Sequence, residues 1–167
     1  EQTAIPNMRG TDVLSKVHDA GINMPDILQR RGNYPSARGA SNILGLEVAD
    51  TIARVGKIVK SWKIGDKICA LVSGGGYAQY CTAPSGQCLP IPKGFSYAEA
   101  AGIPETFFTV WSNIVDRAKI KKGQSILIHG GSGGIGTCAI QLAKVLGCTV
   151  YVTAGSDKKC KFCKKIG

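Results

Sequence analysis

The sequence predicts an α/β protein in two parts, a small antiparallel β domain followed by the start of a parallel β–α–β sheet. Three observations predict this fold class. Short alternating apolar segments, separated by glycines, occupy the first two-thirds of the chain. A helical pattern replaces them from Ser96 onward. Near the end, a strand, a glycine-rich turn, a helix and a second strand follow one another directly.

Length, composition and charge narrow the class of protein. The chain has 167 residues, of which 44% are hydrophobic and 7% aromatic, as in ordinary globular proteins. No apolar run approaches bilayer length and no signal peptide is recognisable, so no membrane partner is expected. The net charge is +10, with a concentration of lysines in the last ten residues. These lysines suit a solvated helix face or a phosphate site better than a nucleic-acid patch, because no pattern of stacking aromatics accompanies them.

Seven cysteines are scattered through the chain, which is typical of reduced core residues rather than a disulfide framework. A cytoplasmic location is therefore expected. Cys160 and Cys163 form a C-x-x-C pair. Because an isolated pair provides only half of a zinc shell, metal binding or redox chemistry is not expected there.

The first part contains four alternating segments that predict strands and one that predicts a short helix. The strands are expected at Val13–Val17, Leu46–Val55, Lys67–Val72 and Tyr77–Cys81. The helix runs to Arg30 from a start near Asn23, with Pro25 tolerated in its first turn. The next part begins with a capping box, Ser96 and Glu99, and Pro104 opens a further helix through Val115.

The last part is an apolar strand, Ser125–His129, a G-x-G-x-x-G turn, an amphipathic helix and a strand, Thr149–Thr153. In this context the glycine pattern is a dinucleotide-binding fingerprint, although glycine-rich turns also simply end strands. Gly131 permits the tight turn, Gly133 lets the backbone approach a pyrophosphate, and Gly136 lets helix and strand pack closely. The helix N-terminus favours the phosphate charge. The cofactor-binding residues predicted here are Gly131, Ser132, Gly133, Gly134, Ile135 and Gly136.

Several stretches together identify a family. The chain resembles the medium-chain dehydrogenase/reductases, and among them the zinc-free, NADPH-dependent quinone oxidoreductases of the zeta-crystallin type. The matching stretches are Ala20–Arg30, Gly39–Glu47, Trp62–Asp66, Gly74–Tyr80, Ile103–Thr109, the glycine pattern and Thr153–Ser156.

The resemblance implies a chaperonin-10-like catalytic β-barrel domain over residues 1–113, without its N-terminal strands, and part of a Rossmann NADPH-binding domain over residues 114–167. Because a doubly wound sheet needs further parallel strands, we expect the sequence to be an incomplete chain. The resemblance also implies a homodimer for the full-length protein.

Zinc is not expected in this chain. By the resemblance, Asn23 stands where zinc-dependent relatives have a cysteine, and Leu46 where they have a histidine. Neither an asparagine nor a leucine provides a thiolate or imidazole ligand. His18 and His129 lie beside strands and are expected to be structural.

The choice of cofactor depends on the end of the second strand of the β–α–β unit. An NAD site usually has an acidic residue there, whereas Gly155 and Ser156 follow this strand. The resemblance places Ser156 and Lys159 on the 2′-phosphate of NADPH. Asp157 opposes that assignment, because a carboxylate that points inward would repel the phosphate. The two lysines that follow it, Lys158 and Lys159, outnumber this one aspartate, so the charges favour NADPH. The alternative is that these charges belong to a solvated helix start.

The resemblance also implies the catalytic residues. Asn23, Asp26 and Tyr34 would lie around the nicotinamide and the acceptor, and Thr109 would contact the nicotinamide. Tyr34 would donate a hydrogen bond to a quinone oxygen. The structural alternatives are that Asn23 caps the short helix, Asp26 stabilises its first turn and Tyr34 packs in a loop.

One residue departs from the family pattern. Asp50 occupies a position where relatives usually have glycine, and a positive φ there would be strained.

The sequence therefore predicts an oxidoreductase that transfers reducing equivalents from NADPH to a small-molecule quinone or enone without zinc. Three alternatives stay open. They are a reductase of activated alkenes of the enoyl type, a non-catalytic NADPH-binding crystallin-like protein, and an RNA-binding protein that uses the lysine-rich end.

Overall fold

A computed structural model describes residues 2–167 and divides the chain into two compact units, Glu1–Glu105 and Thr106–Gly167. The boundary lies inside a helix, α3 (Pro104–Trp111). The domain boundary predicted after residue 113 stays a prediction, because a division by compactness does not test independent folding.

The first unit is built on one antiparallel sheet of five strands in the order β4-β1-β2-β3-β5. Two short helices accompany the sheet, α1 (Met24–Arg30) and α2 (Tyr97–Ala101). The strands are β1 (Asp12–Ala20), β2 (Glu47–Val55), β3 (Lys67–Leu71), β4 (Tyr80–Pro84) and β5 (Cys88–Pro90).

Alternation along β2 divides the core of the first unit between the two faces of the sheet. Val48 and Ile52 pack with Ile68 of β3 in the larger apolar cluster. Ala49 belongs to the opposite face, where it packs with Ala100 of α2. Irregular pairing in β1, after Leu14 and after Val17, bends the sheet.

The second unit is a β–α–β–α sequence in which two strands pair in parallel. It contains β6 (Ser125–His129), α4 (Gly134–Val145), β7 (Thr149–Thr153) and α5 (Asp157–Ile166). The two strands pair in register over their whole lengths. Side chains from α3, α4, α5 and both strands form its apolar core. The predicted order of an antiparallel β part followed by a parallel β–α–β part is confirmed.

The structure differs from the sequence-based prediction in three local details. The strand expected from Tyr77 begins at Tyr80, because Gly74 and Gly75 adopt positive φ values and the chain still forms a loop at Tyr77. The helix expected through Val115 ends as an α-helix at Trp111 and continues as π-helix over Ser112–Arg117. Strand β5 was not predicted, since it has three residues and only the first is buried.

Asp50 does not need a positive φ. It lies within β2, and Lys119 is the one non-glycine residue with positive φ in the part of the chain that is described. The unusual feature of Asp50 is its burial, because its side chain is fully enclosed in the sheet core. The Ser15 hydroxyl donates a hydrogen bond to one carboxylate oxygen of Asp50. Within residues 2–167, the other oxygen has no hydrogen-bond partner.

Candidate functional site

The glycine loop, residues 130–136, connects β6 to α4 and is packed too tightly for a side chain at Gly136 and closely at Gly131. A Cβ on Gly136 would lie 2.4 Å from the carbonyl oxygen of Gly130. A Cβ on Gly131 would lie 3.0 Å from Cβ of Val152. Gly133 is exposed, and a Cβ there would meet its nearest neighbour at 3.5 Å. The loop therefore needs a glycine at position 136 for its own packing and has little space at position 131, while Gly133 leaves one side of the backbone open.

The N-terminus of α4 fits the phosphate groups of a dinucleotide. The helix has twelve residues, and its N-cap, Gly133, has no side chain to cap it. The first N–H groups of a helix lack partners within it, and here the first-turn residues Gly134 and Ile135 are exposed. Ser132, just before them, is half-buried. Unpaired N–H groups and the helix dipole make such an end an anion-binding site.

Thr153, at the end of β7, joins the glycine loop to the segment that follows β7. Its carbonyl oxygen accepts the Gly131 N–H at 3.0 Å, and its Oγ1 accepts the Gly130 N–H at 3.3 Å. His129 Nδ1 lies 3.1 Å from the same Oγ1, which gives this histidine a structural contact. Residues 154–156 thus begin at the same sheet edge as the glycine loop, and a Cβ on Gly155 would meet nothing within 4 Å.

Ser156 and Lys159 belong to the first turn of α5. Ser156 is the N-cap of this helix, and its Oγ accepts the Lys159 N–H at 3.4 Å. The side chains of Ser156, Asp157, Lys158 and Lys159 are all exposed. This exposure is compatible with a phosphate site and equally with a solvated helix start. Thr109, the remaining predicted cofactor residue, is half-buried in α3, and its carbonyl oxygen accepts the Asn113 side-chain amide at 2.7 Å.

Two of the three predicted catalytic residues belong to one partly buried hydrogen-bond network in the first unit. Asn23 is the N-cap of α1, and its N–H donates to Asp26 Oδ2 at 2.8 Å. Asn23 Nδ2 donates to Glu47 Oε1 at 2.8 Å. Asp26 also accepts the Gly45 N–H at 3.2 Å and the Tyr77 hydroxyl at 3.0 Å. Asn23 and Asp26 therefore stabilise the first turn of α1, and their catalytic role stays a prediction.

The network is acidic and mostly buried. Asp26 is 3% exposed and Glu47 is 2% exposed. Burial raises the pKa of the Glu47 carboxyl, against the lowering effect of hydrogen bonds from the Glu105 N–H and Asn23. Burial likewise raises the pKa of Glu105, and the nearby Glu47 and Asp26 raise it further. Burial and the hydrogen bond to Asp26 raise the pKa of Tyr77 to about 12, so its hydroxyl remains a donor.

Tyr34, in the segment that follows α1, is 45% exposed and is not among the hydrogen-bond partners of this network within residues 2–167. Tyr77 is the tyrosine whose hydroxyl reaches Asp26, and it also bonds the carbonyl oxygen of Gly21 at 3.2 Å. Sequence reasoning missed Glu47 and Tyr77 as members of the site. A signal for Glu47 was present, because it is a carboxylate at the start of the alternating apolar segment that forms β2.

Residues 2–167 contain no group of three or more metal-ligating side chains that could hold a metal ion. They also contain no helix long and apolar enough to cross a bilayer. All seven cysteines, including Cys160 and Cys163, are free thiols.

Comparison with protein families matches both units. Residues 9–93, about half of the chain, match the alcohol dehydrogenase GroES-like domain. Residues 134–167 match the zinc-binding dehydrogenase family. These matches confirm the chaperonin-10-like domain followed by the start of a Rossmann-like domain.

Individual relatives include synthases and reductases. A reducing polyketide synthase from Metacordyceps chlamydosporia is 40% identical over 149 residues, which are 89% of this chain and 6% of the synthase. The quinone oxidoreductase structure from Coxiella burnetii matches with a TM-score of 0.85 and 31% identity, over 99% of this chain and 54% of that one. The CurK enoyl reductase structure matches with a TM-score of 0.83 and 30% identity, over 100% of this chain and 52% of that one.

The chain thus spans about half the length of these solved relatives and less than a tenth of the synthase. The matches at both ends agree with the order of the two units and with the glycine loop at the start of α4. This chain belongs to the medium-chain dehydrogenase/reductase superfamily of oxidoreductases.

Proposed function

We propose that the protein is a zinc-free, NADPH-dependent reductase of electron-poor conjugated carbonyl compounds, with quinones as one acceptor class. The observation that carries the proposal is the sheet edge where the glycine loop and the Ser156–Lys159 turn lie together. The open N-terminus of α4 suits the pyrophosphate, and Lys159 suits the 2′-phosphate that distinguishes NADPH from NADH. NADPH, when bound, supplies the hydride.

Residue chemistry supports the absence of zinc from this proposal. Asn23 and Leu46 occupy the positions that the resemblance gives to a cysteine and a histidine ligand, and neither side chain provides a thiolate or an imidazole. In place of a metal ion, we propose that hydrogen-bond donors at Asn23 and Tyr34 hold the acceptor oxygen as negative charge develops on it. Quinones and enoyl compounds share this need for a stabilised oxygen.

The quinone proposal and membership of the zeta-crystallin type come from the sequence motifs, and the 31% identity to a quinone oxidoreductase supports them. Similarity to an enoyl reductase and to a reducing polyketide synthase supports a second candidate, an enoyl thioester. The synthase has the highest identity of the three, so the enoyl candidate needs an equal place in any acceptor screen. A cytoplasmic location and a homodimer of the longer protein complete the proposal.

Equilibrium binding of NADPH and NADH to the 167-residue chain tests the cofactor assignment. We expect a preference for NADPH of about tenfold or more, about 1.4 kcal/mol, which Lys159→Ala abolishes. Lys164→Ala is the matched control, since Lys164 lies in the last turn of the same helix and should not contact the phosphate. Equal affinity for both cofactors, or equal effects of the two substitutions, would contradict the phosphate site.

Acceptor specificity is measured next, by oxidation of NADPH with a benzoquinone and with a 2-enoyl thioester in parallel. Faster turnover of the quinone supports the first candidate, and faster turnover of the thioester supports the second. Binding of NADPH without turnover of either acceptor would leave the non-catalytic alternative.

A further inference from the structure

Glu47 connects two segments of the first unit through its carboxylate. It lies at the start of β2, and each oxygen accepts one hydrogen bond. Oε1 accepts Asn23 Nδ2–H at 2.8 Å, and Oε2 accepts the backbone N–H of Glu105 at 2.9 Å. One buried side chain therefore contacts both the N-cap of α1 and the first turn of α3.

The fold leaves room for this carboxylate at one particular glycine. A Cβ on Gly21 would lie 2.1 Å from Glu47 Oε1 and 2.6 Å from its Cδ. The Gly21 N–H also donates to the backbone carbonyl of Glu47 at 3.2 Å, so the two segments are paired directly beside the carboxylate. Any side chain at position 21 would displace the group that holds Asn23.

A carboxylate in this place determines how the Asn23 carboxamide is turned. An ionised carboxylate only accepts hydrogen bonds, so the NH2 group of Asn23 must face Glu47 and its oxygen must face away. The NH2 group has two hydrogens, and Glu47 takes one of them. The second is the donor that the proposed reduction assigns to Asn23.

We propose that Glu47 is a positioning residue that orients the Asn23 carboxamide towards the acceptor oxygen while it holds the start of α3. The inference rests on the proposed function, because that proposal gives Asn23 its role. Glutamine cannot replace Glu47 in this arrangement. One of its two terminal atoms is an NH2 group. Facing the Glu105 N–H, it would set donor against donor, and facing Asn23, it would turn the Asn23 carboxamide over so that the oxygen of Asn23 faces position 47.

Nuclear magnetic resonance of the 15N-labelled chain tests the contact without any cofactor. The side-chain NH2 signals of Asn23 are assigned by their loss in Asn23→Ser, a substitution that keeps a good N-cap. We expect Glu47→Gln to move these signals and Glu105→Gln to leave them nearly unchanged. Glu105→Gln is the matched control, because Glu105 contributes its backbone N–H to Glu47 and retains it. Unmoved Asn23 signals in Glu47→Gln would overturn the inference.

Steady-state kinetics with the acceptor that the wild type reduces tests the functional consequence. We expect Glu47→Gln to lower kcat/KM for the acceptor about tenfold or more, with the Kd for NADPH unchanged within about twofold. Glu47→Asp, which keeps two accepting oxygens on a shorter side chain, should recover part of the loss. It also serves as the second variant should Glu47→Gln not fold.

The outcomes separate the two proposals. A wild type that turns over the acceptor beside a Glu47→Gln variant with the same kcat/KM overturns the positioning role alone. A wild type that binds NADPH but reduces no acceptor overturns the proposed function, and the positioning role falls with it.

Discussion

The two units differ in where they keep their polar groups. Within residues 2–167, the buried polar or charged side chains all lie in the first unit; they are Asp12, Ser15, Asp26, Glu47 and Asp50. In the second unit, the groups proposed to bind the cofactor are exposed backbone N–H groups and the exposed turn Ser156–Lys159. Changes of pH and isosteric substitutions of buried polar residues should therefore have their main effect in the first unit. Substitutions of glycine by alanine should have theirs in the second unit.

The largest effect is expected from Asp50, whose carboxyl meets one hydroxyl, that of Ser15, in an apolar core. Burial raises its pKa from 3.8 to about 7, against the lowering effect of that hydrogen bond. The folded state therefore binds the proton more tightly than the unfolded state does. The stability contributed by the neutral carboxyl is fully present below pH about 4 and is lost as pH rises towards 7, by about 4 kcal/mol.

Urea unfolding from pH 4 to pH 8 measures this effect, with Asp50→Asn as the variant that cannot ionise. We expect the free energy of unfolding of the wild type to fall relative to that of Asp50→Asn across this range. Glu47 and Glu105 titrate in both proteins and cancel in the difference. The thiols that face Asp50, those of Cys69, Cys81 and Cys88, have pKa values raised to about 11 or 12, outside this range. Parallel pH curves would show that Asp50 has an ordinary pKa.

The second prediction concerns the packing of the glycine loop. Gly136→Ala places a Cβ against the backbone of two consecutive residues, 2.4 Å from Gly130 O and 2.7 Å from Gly131 Cα, so the loop must shift. We expect a loss of about 3 kcal/mol in the free energy of unfolding. Gly155→Ala is the control, since its Cβ would meet nothing within 4 Å. Similar losses in both variants would mean that the crowding is relieved without cost.

Gly136 and Asp50 show what the sequence could and could not predict. The role of Gly136 follows from its spacing, because strand, turn and helix are contiguous and the local geometry is nearly determined. Asp50 was expected to matter through its φ, whereas its burial against Ser15 depends on how two distant strands pair. For the same reason Glu47 was missed, since its partners Asn23 and Glu105 lie 24 and 58 residues away in the chain.

Gly133 separates folding from cofactor binding within the same loop. It is exposed, with a φ of −82° that alanine adopts readily, and a Cβ there meets its nearest atom at 3.5 Å. Gly133→Ala should change the free energy of unfolding by less than about 1 kcal/mol. The added methyl would project from the backbone that the pyrophosphate approaches. We therefore expect the Kd for NADPH to rise about tenfold, about 1.4 kcal/mol. An unchanged Kd would show that the pyrophosphate does not lie against Gly133.

The smallest effects are expected from substitution of two N-cap serines, one in each unit. Ser96 is a purely structural cap, whereas Ser156 is also proposed to bind the 2′-phosphate. Ser96 bonds Glu99 in a complete capping box, with the Ser96 N–H donating to Glu99 Oε2 at 2.8 Å. Ser96→Ala should cost about 1 kcal/mol of stability and leave cofactor affinity unchanged. Ser156→Ala should cost less, because it removes one hydrogen bond of the hydroxyl, that from the Lys159 N–H, whereas Ser96→Ala removes two, both with Glu99. It should nevertheless weaken NADPH binding about threefold, about 0.7 kcal/mol, without affecting NADH binding.

Thermal unfolding measures the stability of the two variants, and titrations with NADPH and NADH measure their cofactor affinity. A loss of affinity for both cofactors in Ser156→Ala would assign this serine to the start of α5 and not to the 2′-phosphate.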